Sequence, residues 1–249
     1  MEAESRRIFG GEKVLLQETD RALTPFGGMV VFLEFLNKIG LVKKVSECMP
    51  VSHRSPNSIP PPQTYIAFLI SVAAGARRFA QTSWLRGDRA LHGLLGIDRF
   101  PSDDTIRNLF LRFGMGEVQR FFEPMTEWMM ERLPQRSQGH SLDLDSTVFE
   151  RHGQQQEGAL KGYNPRRPGR VSHHPLLAVL AESHFVMHGW LRSGNSGTAR
   201  GVTEFLKEAF ALWGGRGLLR VVRADAGFFE QDLFAFLEER ETPYIVVAR

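Results

Sequence analysis

Hydrophobic and polar positions divide the chain into two stretches of different period. Residues 1–22 are polar and short of pattern, with an edge strand expected near VLLQ at position 15. From Leu23 to about Cys48 the apolar positions Met29, Val30, Phe32, Leu33, Phe35, Leu36 and Ile39 recur at helical spacing. Thr24 suits an N-cap, Pro25 the first helical position, and Gly40 a helix end. The prolines of VSHRSPNSIPPPQ (51–63) predict a loop. Further helices are predicted over 64–76, over 84–94 with an end near Gly96, from Ser102 as N-cap, and over 116–133 until Pro134. The first 135 residues therefore read as a mostly helical region.

Beyond that point the period changes to two. Residues 141–149 (SLDLDSTVF) alternate and are rich in strand formers. A polar stretch of roughly 25 residues, Glu150–His174, reads as a long loop, a kind usually functional or disordered. Two strands follow, 175–181 and 184–191, joined as a hairpin at Glu182-Ser183. A helix over 197–213, a strand over 218–224, a helix over 228–239 and a strand over 244–248 complete the pattern. This order predicts an α/β layer, helices packed on a mixed sheet, over residues 136–249.

At 249 residues the chain can hold one large domain or two small ones. Its composition, 42% hydrophobic and 24% charged, excludes wholesale disorder. A single cysteine, Cys48, excludes an intrachain disulfide and a multi-cysteine zinc site. No apolar run reaches the ~20 residues that span a bilayer, and the N-terminus lacks a signal-peptide core. A cytoplasmic protein with no membrane partner is the expectation. Net charge is only +3, but residues 151–200 carry seven basic residues against two acids. Arginine outnumbers lysine 25 to 6. Codon bias accounts for that ratio, not for the clustering.

Candidate chemistry sits where the strands end. Asp145 lies near the end of the first strand of the α/β half, and Asp225 directly follows LLRVVRA. Open α/β sheets place ligands at such ends. If the two strands are neighbours, about 4.8 Å apart, the carboxylates converge. They would then bind Mg²⁺ or form an acid/base pair. Asp143 shares a face with Asp145 but lies farther from the strand end, and Asp225 is also placed to cap the helix that follows. Lys161, Arg166, Arg167 and Arg170, with Arg192 beyond them, could follow a phosphate backbone. His173 and His174 are adjacent, so on a strand they point to opposite faces and make a poor metal pair. No Walker loop, HExxH or G-x-S-x-G motif is present.

The segments LDLDSTVFERHGQQQEGALKGYNPRRPGRVSHHPLLAVLA, LRSGNSGTARGV, RADAGFF and TPYIVVAR together resemble the DDE transposases of bacterial insertion sequences, group 1. LTPFGGMVVFLEFLNKIGL and FPSDDTIRNLF resemble the helical N-terminal region of that family. The resemblance implies an RNase H-like mixed sheet from about residue 138. It implies DNA transposition by metal-dependent phosphodiester hydrolysis and strand transfer. It also implies two aspartates and a glutamate holding two Mg²⁺ or Mn²⁺ ions. Asp145, in DST, would be the first carboxylate and Asp225 the second. The implied partners are terminal inverted repeats and target DNA, with a homodimer in the synaptic complex and the N-terminal helices reading the element ends.

One departure matters. The family's third carboxylate lies on a helix well beyond the second aspartate, and Glu230, Glu238, Glu239 and Glu241 come too early. The sequence therefore reads as a transposase incomplete at its C-terminus, inactive alone but able to bind DNA, with part of its sheet uncovered. The alternatives are a non-catalytic remnant that occupies element ends, and an RNase H-like nuclease unrelated to transposition.

Overall fold

A computed structural model describes residues 4–7, 13–16 and 20–248, apart from 54, 56, 153–155 and 166. The chain divides into two compact units, Met1–Met125 and Thr126–Arg249. The sequence reading put a boundary at 135/136, at the end of a predicted helix. The division instead falls inside that helix.

The first unit is helical beyond a short antiparallel pair, β1 (Glu4–Arg7) with β2 (Lys13–Leu16). Helices α1 (Gly28–Lys38) and α2 (Leu41–Cys48) meet at Gly40, whose φ of 80° suits glycine. Thr24 does not cap α1. Its hydroxyl accepts from the Phe26 N–H and donates to Asp88, and residues 25–27 form a turn before the helix. The prolines read as a loop instead open α3 (Pro61–Ala73), because the first helical turn needs no donor from them.

Ser83–Arg86 and Arg89–Leu95 form α4 and α5, the latter capped by Asp88 through the Leu91 N–H. Ser102 caps α6 (Asp103–Phe110) through the Thr105 N–H, as its sequence position predicts. Val45, Ile66, Ile70, Leu91 and Phe121 are buried in this unit's core. Helix α7 (Met115–Met130) begins there with Phe121 and Met125 and continues into the second unit.

The second unit is built on five strands: β3 (His140–Ser146), β7 (Leu176–Leu180), β8 (Phe185–Trp190), β9 (Leu219–Ala224) and β10 (Tyr244–Val246). Their order is β10-β9-β3-β7-β8. β3 runs parallel to β9, and β9 to β10, whereas β7 is antiparallel to both β3 and β8. This is the RNase H-like mixed sheet the resemblance implies. Alternation sends Leu142, Leu144, Ala178, Leu180 and Val222 to one face, where α8 (Val202–Trp213) and α9 (Gln231–Glu239) cover them. The other face carries a row that runs Ile245, Arg223, Asp143, Val179, Val186 across all five strands. Ile245 and Val186, at its two ends, are exposed.

The predicted long loop has structure of its own. Phe149–Glu150 (β4), Leu160–Lys161 (β5) and Val171–His173 (β6) form a three-stranded antiparallel sheet in the order β4-β6-β5. The turn after Arg192 lies directly on it. A Cβ at Gly194 would sit 2.1 Å from the Ser172 carbonyl oxygen, and one at Gly162 would sit 1.8 Å from that of Gly194. Only glycine permits this approach.

Candidate functional site

The ends of β3 and β9 define the site. Leu144 pairs in register with Ala224 across parallel strands, so Asp145 and Asp225 are the next positions along each. Asp225 keeps an extended backbone, with φ −78° and ψ 178°. Two residues earlier, Asp143 and Arg223 face each other and join by two hydrogen bonds of 2.6 and 2.7 Å. Asp145 and Asp225 therefore follow at neighbouring strand ends, about 4.8 Å apart at the backbone, with Asp225 one residue beyond the end of β9.

The same pair separates Asp143 from Asp145. Both oxygens of Asp143 accept from Arg223. That hydrogen bonding and the carboxylate charge hold the guanidinium above its ordinary pKa. Asp145 is exposed and has no hydrogen-bond or ion-pair partner among the described residues. Asp225 is exposed, and its Oδ1 accepts from the Gly227 N–H at 2.9 Å, closing the short 3₁₀ turn Ala226–Phe228 ahead of α9. Asp225 is thus both a cap and a carboxylate at the sheet edge.

A cavity of about 440 Å³ opens beside Asp225, between the strand ends and the small sheet. Asp225, Ser146, Thr147, His174 and Thr198 line one side. Glu150, Tyr163, Asn164 and Arg167 line another. Asp145 does not line it, because alternation turns its side chain away from that of Ser146. Asn164 is buried, and its side-chain oxygen accepts from the Arg167 N–H at 3.0 Å, which shapes the basic turn. The Arg167 side chain is exposed and donates to Glu150 Oε2 at 3.2 Å. Glu150 Oε1 is buried without a partner among the described residues.

Lys161 and Arg170 are exposed, with no side-chain partner among the described residues. Arg166, grouped with them in the sequence reading, lies outside the described residues.

Arg192 requires a correction. The sequence groups it with the phosphate-binding residues, yet it is buried. Its Nε donates to the His174 carbonyl at 3.0 Å. Nη1 donates to the carbonyls of Gly197, Thr198 and Arg200 at 3.2, 3.0 and 2.9 Å. Burial lowers its pKa from the ordinary guanidinium value. A cation held by this ring of backbone oxygens is not presented to DNA.

The two histidines serve similar ends. His173 Nδ1 accepts from Arg151 Nε at 2.9 Å, and Nε2 donates to the Glu157 carbonyl at 2.8 Å. His174 Nδ1 donates to the Ser196 carbonyl at 2.7 Å, which leaves Nε2 of the neutral ring to accept from the Ser146 hydroxyl at 3.2 Å. All four ring nitrogens are occupied, so neither ring is free to bind metal.

The residues at the strand ends suit a hard cation. Aspartates at adjacent strand ends offer oxygen ligands, and Mg²⁺ commonly takes one or two of these beside water and phosphate. Among the described residues no group of three or more His, Cys, Asp or Glu converges as a metal site. The donors therefore fit one ion with most of its sphere left to solvent and substrate. Sequence reasoning missed Glu150, Asn164, His174 and Thr198 as cavity residues. The one available signal was that all four fall within the motif segments FERHG, GYNPRRPG, VSHHP and GNSGTARG.

No curated protein matches the chain. Among solved structures, a piggyBac transposase synaptic complex with hairpin DNA aligns at 14% identity and a TM-score of 0.41, covering 88% of this chain and 49% of that one. The Mos1 transposase paired-end complex with left transposon end aligns at 12% identity and a TM-score of 0.31, covering 80% of this chain and 61% of that one. The chain thus spans less than two thirds of either relative. The match that decides the assignment is to a family model covering residues 6–248, and by it the chain belongs to the transposase DDE domain group 1 family.

Proposed function

We propose that this chain carries part of the metal and DNA machinery of a DNA transposase, with Asp145 and Asp225 as its two carboxylate ligands. The observation that carries the reading is the β3–β9 register, which sets these two residues next to each other in a chain of this family. A bound Mg²⁺ or Mn²⁺ would polarise a scissile phosphodiester and favour attack on it by water or a 3′-hydroxyl. The chain's own residues hold that ion and position the strand. Asp145 offers an unpaired carboxylate, and Asp225 keeps Oδ1 on the Gly227 N–H. Lys161, Arg167 and Arg170 lie along the basic sheet as phosphate contacts, giving salt-dependent affinity for terminal inverted repeats and target DNA. A second ion and a homodimeric synaptic complex belong to the assembled enzyme.

With two aspartates at adjacent strand ends and no group of three or more metal-ligating side chains among the described residues, a second reading has specific support: this chain binds DNA and metal but does not cut. Mn²⁺ titration followed by electron paramagnetic resonance, on the wild type, Asp145→Asn and Asp225→Asn, tests the ligand assignment. Each substitution is expected to weaken binding about tenfold or more; unchanged affinity in both would refute it. Nicking of inverted-repeat DNA by the 249-residue chain would overturn the non-cutting reading. Equal affinity for inverted-repeat and unrelated DNA would favour a general nuclease over a transposase.

A further inference from the structure

Segment 193–200 lies between the ends of the two aspartate-bearing strands and is fastened at both sides. On the β3 side, the buried His174 ring spans from the Ser196 carbonyl to the Ser146 hydroxyl, and Ser146 directly follows Asp145. On the β9 side, Thr198 is packed against the turn that Asp225 caps: a Cβ at Gly227 would sit 2.7 Å from Thr198 Cγ2. Arg192 draws the segment into shape from within, through the carbonyls of Gly197, Thr198 and Arg200. Arg192 and His174 are also joined to each other. The His174 N–H donates to the Arg192 carbonyl at 3.0 Å, and Arg192 Nε donates to the His174 carbonyl at 3.0 Å. No carboxylate pairs with Arg192 among the described residues; its Nε and Nη1 are committed to these backbone oxygens, and Nη2 is buried without a partner among the described residues.

We infer that Arg192 and His174 are positioning residues that, through segment 193–200, fix the separation and orientation of the Asp145 and Asp225 carboxylates. The inference rests on the ligand assignment above for its consequence in metal binding, and on hydrogen-bond geometry alone for its consequence in backbone order. A rigid planar guanidinium, donating from Nε and Nη1, suits four carbonyls at fixed positions better than an ammonium does. A ring accepting at Nε2 and donating at Nδ1 links two elements that a one-sided donor would not.

The test uses the full chain with Arg192→Lys, His174→Asn and Ser146→Ala. Asparagine keeps a donor near the Nδ1 position and loses the acceptor for Ser146. Amide hydrogen exchange is read at Gly227, whose N–H holds Asp225, and at Leu237 within α9 as a measure of the unit's overall stability. Arg192→Lys and His174→Asn are expected to speed exchange at Gly227 at least tenfold and to leave Leu237 within about twofold. Mn²⁺ affinity is expected to fall about tenfold, the usual scale for losing a partner behind a metal ligand. Ser146→Ala combined with His174→Asn should weaken Mn²⁺ binding no more than either alone, because both break one hydrogen bond.

Parallel acceleration at Gly227 and Leu237 would reduce the clamp to ordinary stability and overturn the inference, as would an unchanged Gly227. Loss of Mn²⁺ binding in Asp225→Asn with no response in the clamp variants would overturn this inference alone. Unchanged Mn²⁺ binding in Asp225→Asn, with Gly227 still responding to the clamp, would refute the ligand assignment and sustain the positioning role.

Discussion

Replacing Glu182 with glutamine isolates the electrostatic anchor at the other end of β3. Glu182 lies in the hairpin turn, and its two carboxylate oxygens accept from the Ser141 N–H at 3.1 and 3.0 Å. His140 Nδ1 stands 3.8 Å away and Arg220 Nη2 3.9 Å. Burial alone would raise this carboxyl's pKa. The hydrogen bonds from Ser141 and the His140 charge outweigh that effect and lower it from 4.5 to about 2.

A folded-state pKa below the unfolded one contributes stability above the unfolded value, and that stability is lost as pH falls toward the folded value. The displacement sets a ceiling of about 3 kcal/mol at pH 7, falling below about 1 kcal/mol at pH 2.5. Glutamine keeps the shape and one acceptor but no charge. Urea unfolding of wild type and Glu182→Gln checks this, with Trp190 and Trp213 as the reporters of the second unit after Trp84 and Trp128 are changed to Phe. The expected loss is about 2–3 kcal/mol at pH 7 and less than about 1 kcal/mol at pH 2.5. A loss of equal size at both pH values would show that shape, not charge, governs the contact. A loss under about 0.5 kcal/mol at pH 7 would refute the anchor altogether.

Other substitutions separate the site's parts. Asp143→Asn should change stability by less than about 1 kcal/mol, since the pair with Arg223 is largely exposed, and should leave Mn²⁺ affinity within about twofold. Gly194→Ala should destabilise the second unit by more than about 2 kcal/mol in thermal melts, because backbone carbonyls rather than flexible side chains occupy the added Cβ's place. Phe205→Ala, at the centre of the helix-covered face, should cost about 3–5 kcal/mol by urea titration. Lys161→Ala and Arg170→Ala should each lower the log–log salt slope of DNA binding by about 1, measured by fluorescence anisotropy.

What the sequence reveals here depends on how far apart the interacting residues lie. The alternation over 141–149, the Glu182-Ser183 turn and the helical stripes are local patterns, and most of the elements they imply are present, although the 141–149 strand ends at Ser146 with Phe149 in the small sheet, and the 84–94 helix is split into α4 and α5. The three-stranded sheet inside 150–174 was not legible. Strands of two or three residues are too short to show a period, and the glycines that let the 193–196 turn lie against them look like ordinary loop residues. Asp225 after an apolar strand was legible as a candidate, but its choice of neighbour was not. Asp145 is set apart from Asp143 by Arg223, 80 residues away in the chain.

Arg192 shows the same limit applied to charge. The basic excess of residues 151–200 is a count, and a count treats every arginine as a surface cation. The fold divides them. Lys161, Arg167 and Arg170 present their charge to solvent, whereas Arg192 carries its charge into the protein and surrounds it with carbonyl dipoles. An exposed cation that neutralises a phosphate releases counterions condensed on the DNA, whereas a buried one reaches no phosphate, so the first group should set the salt slope and Arg192 should not. Arg192→Lys is accordingly expected to weaken DNA binding, if at all, with an unchanged slope. A slope lowered by about 1 would mean that its guanidinium reaches the phosphates after all.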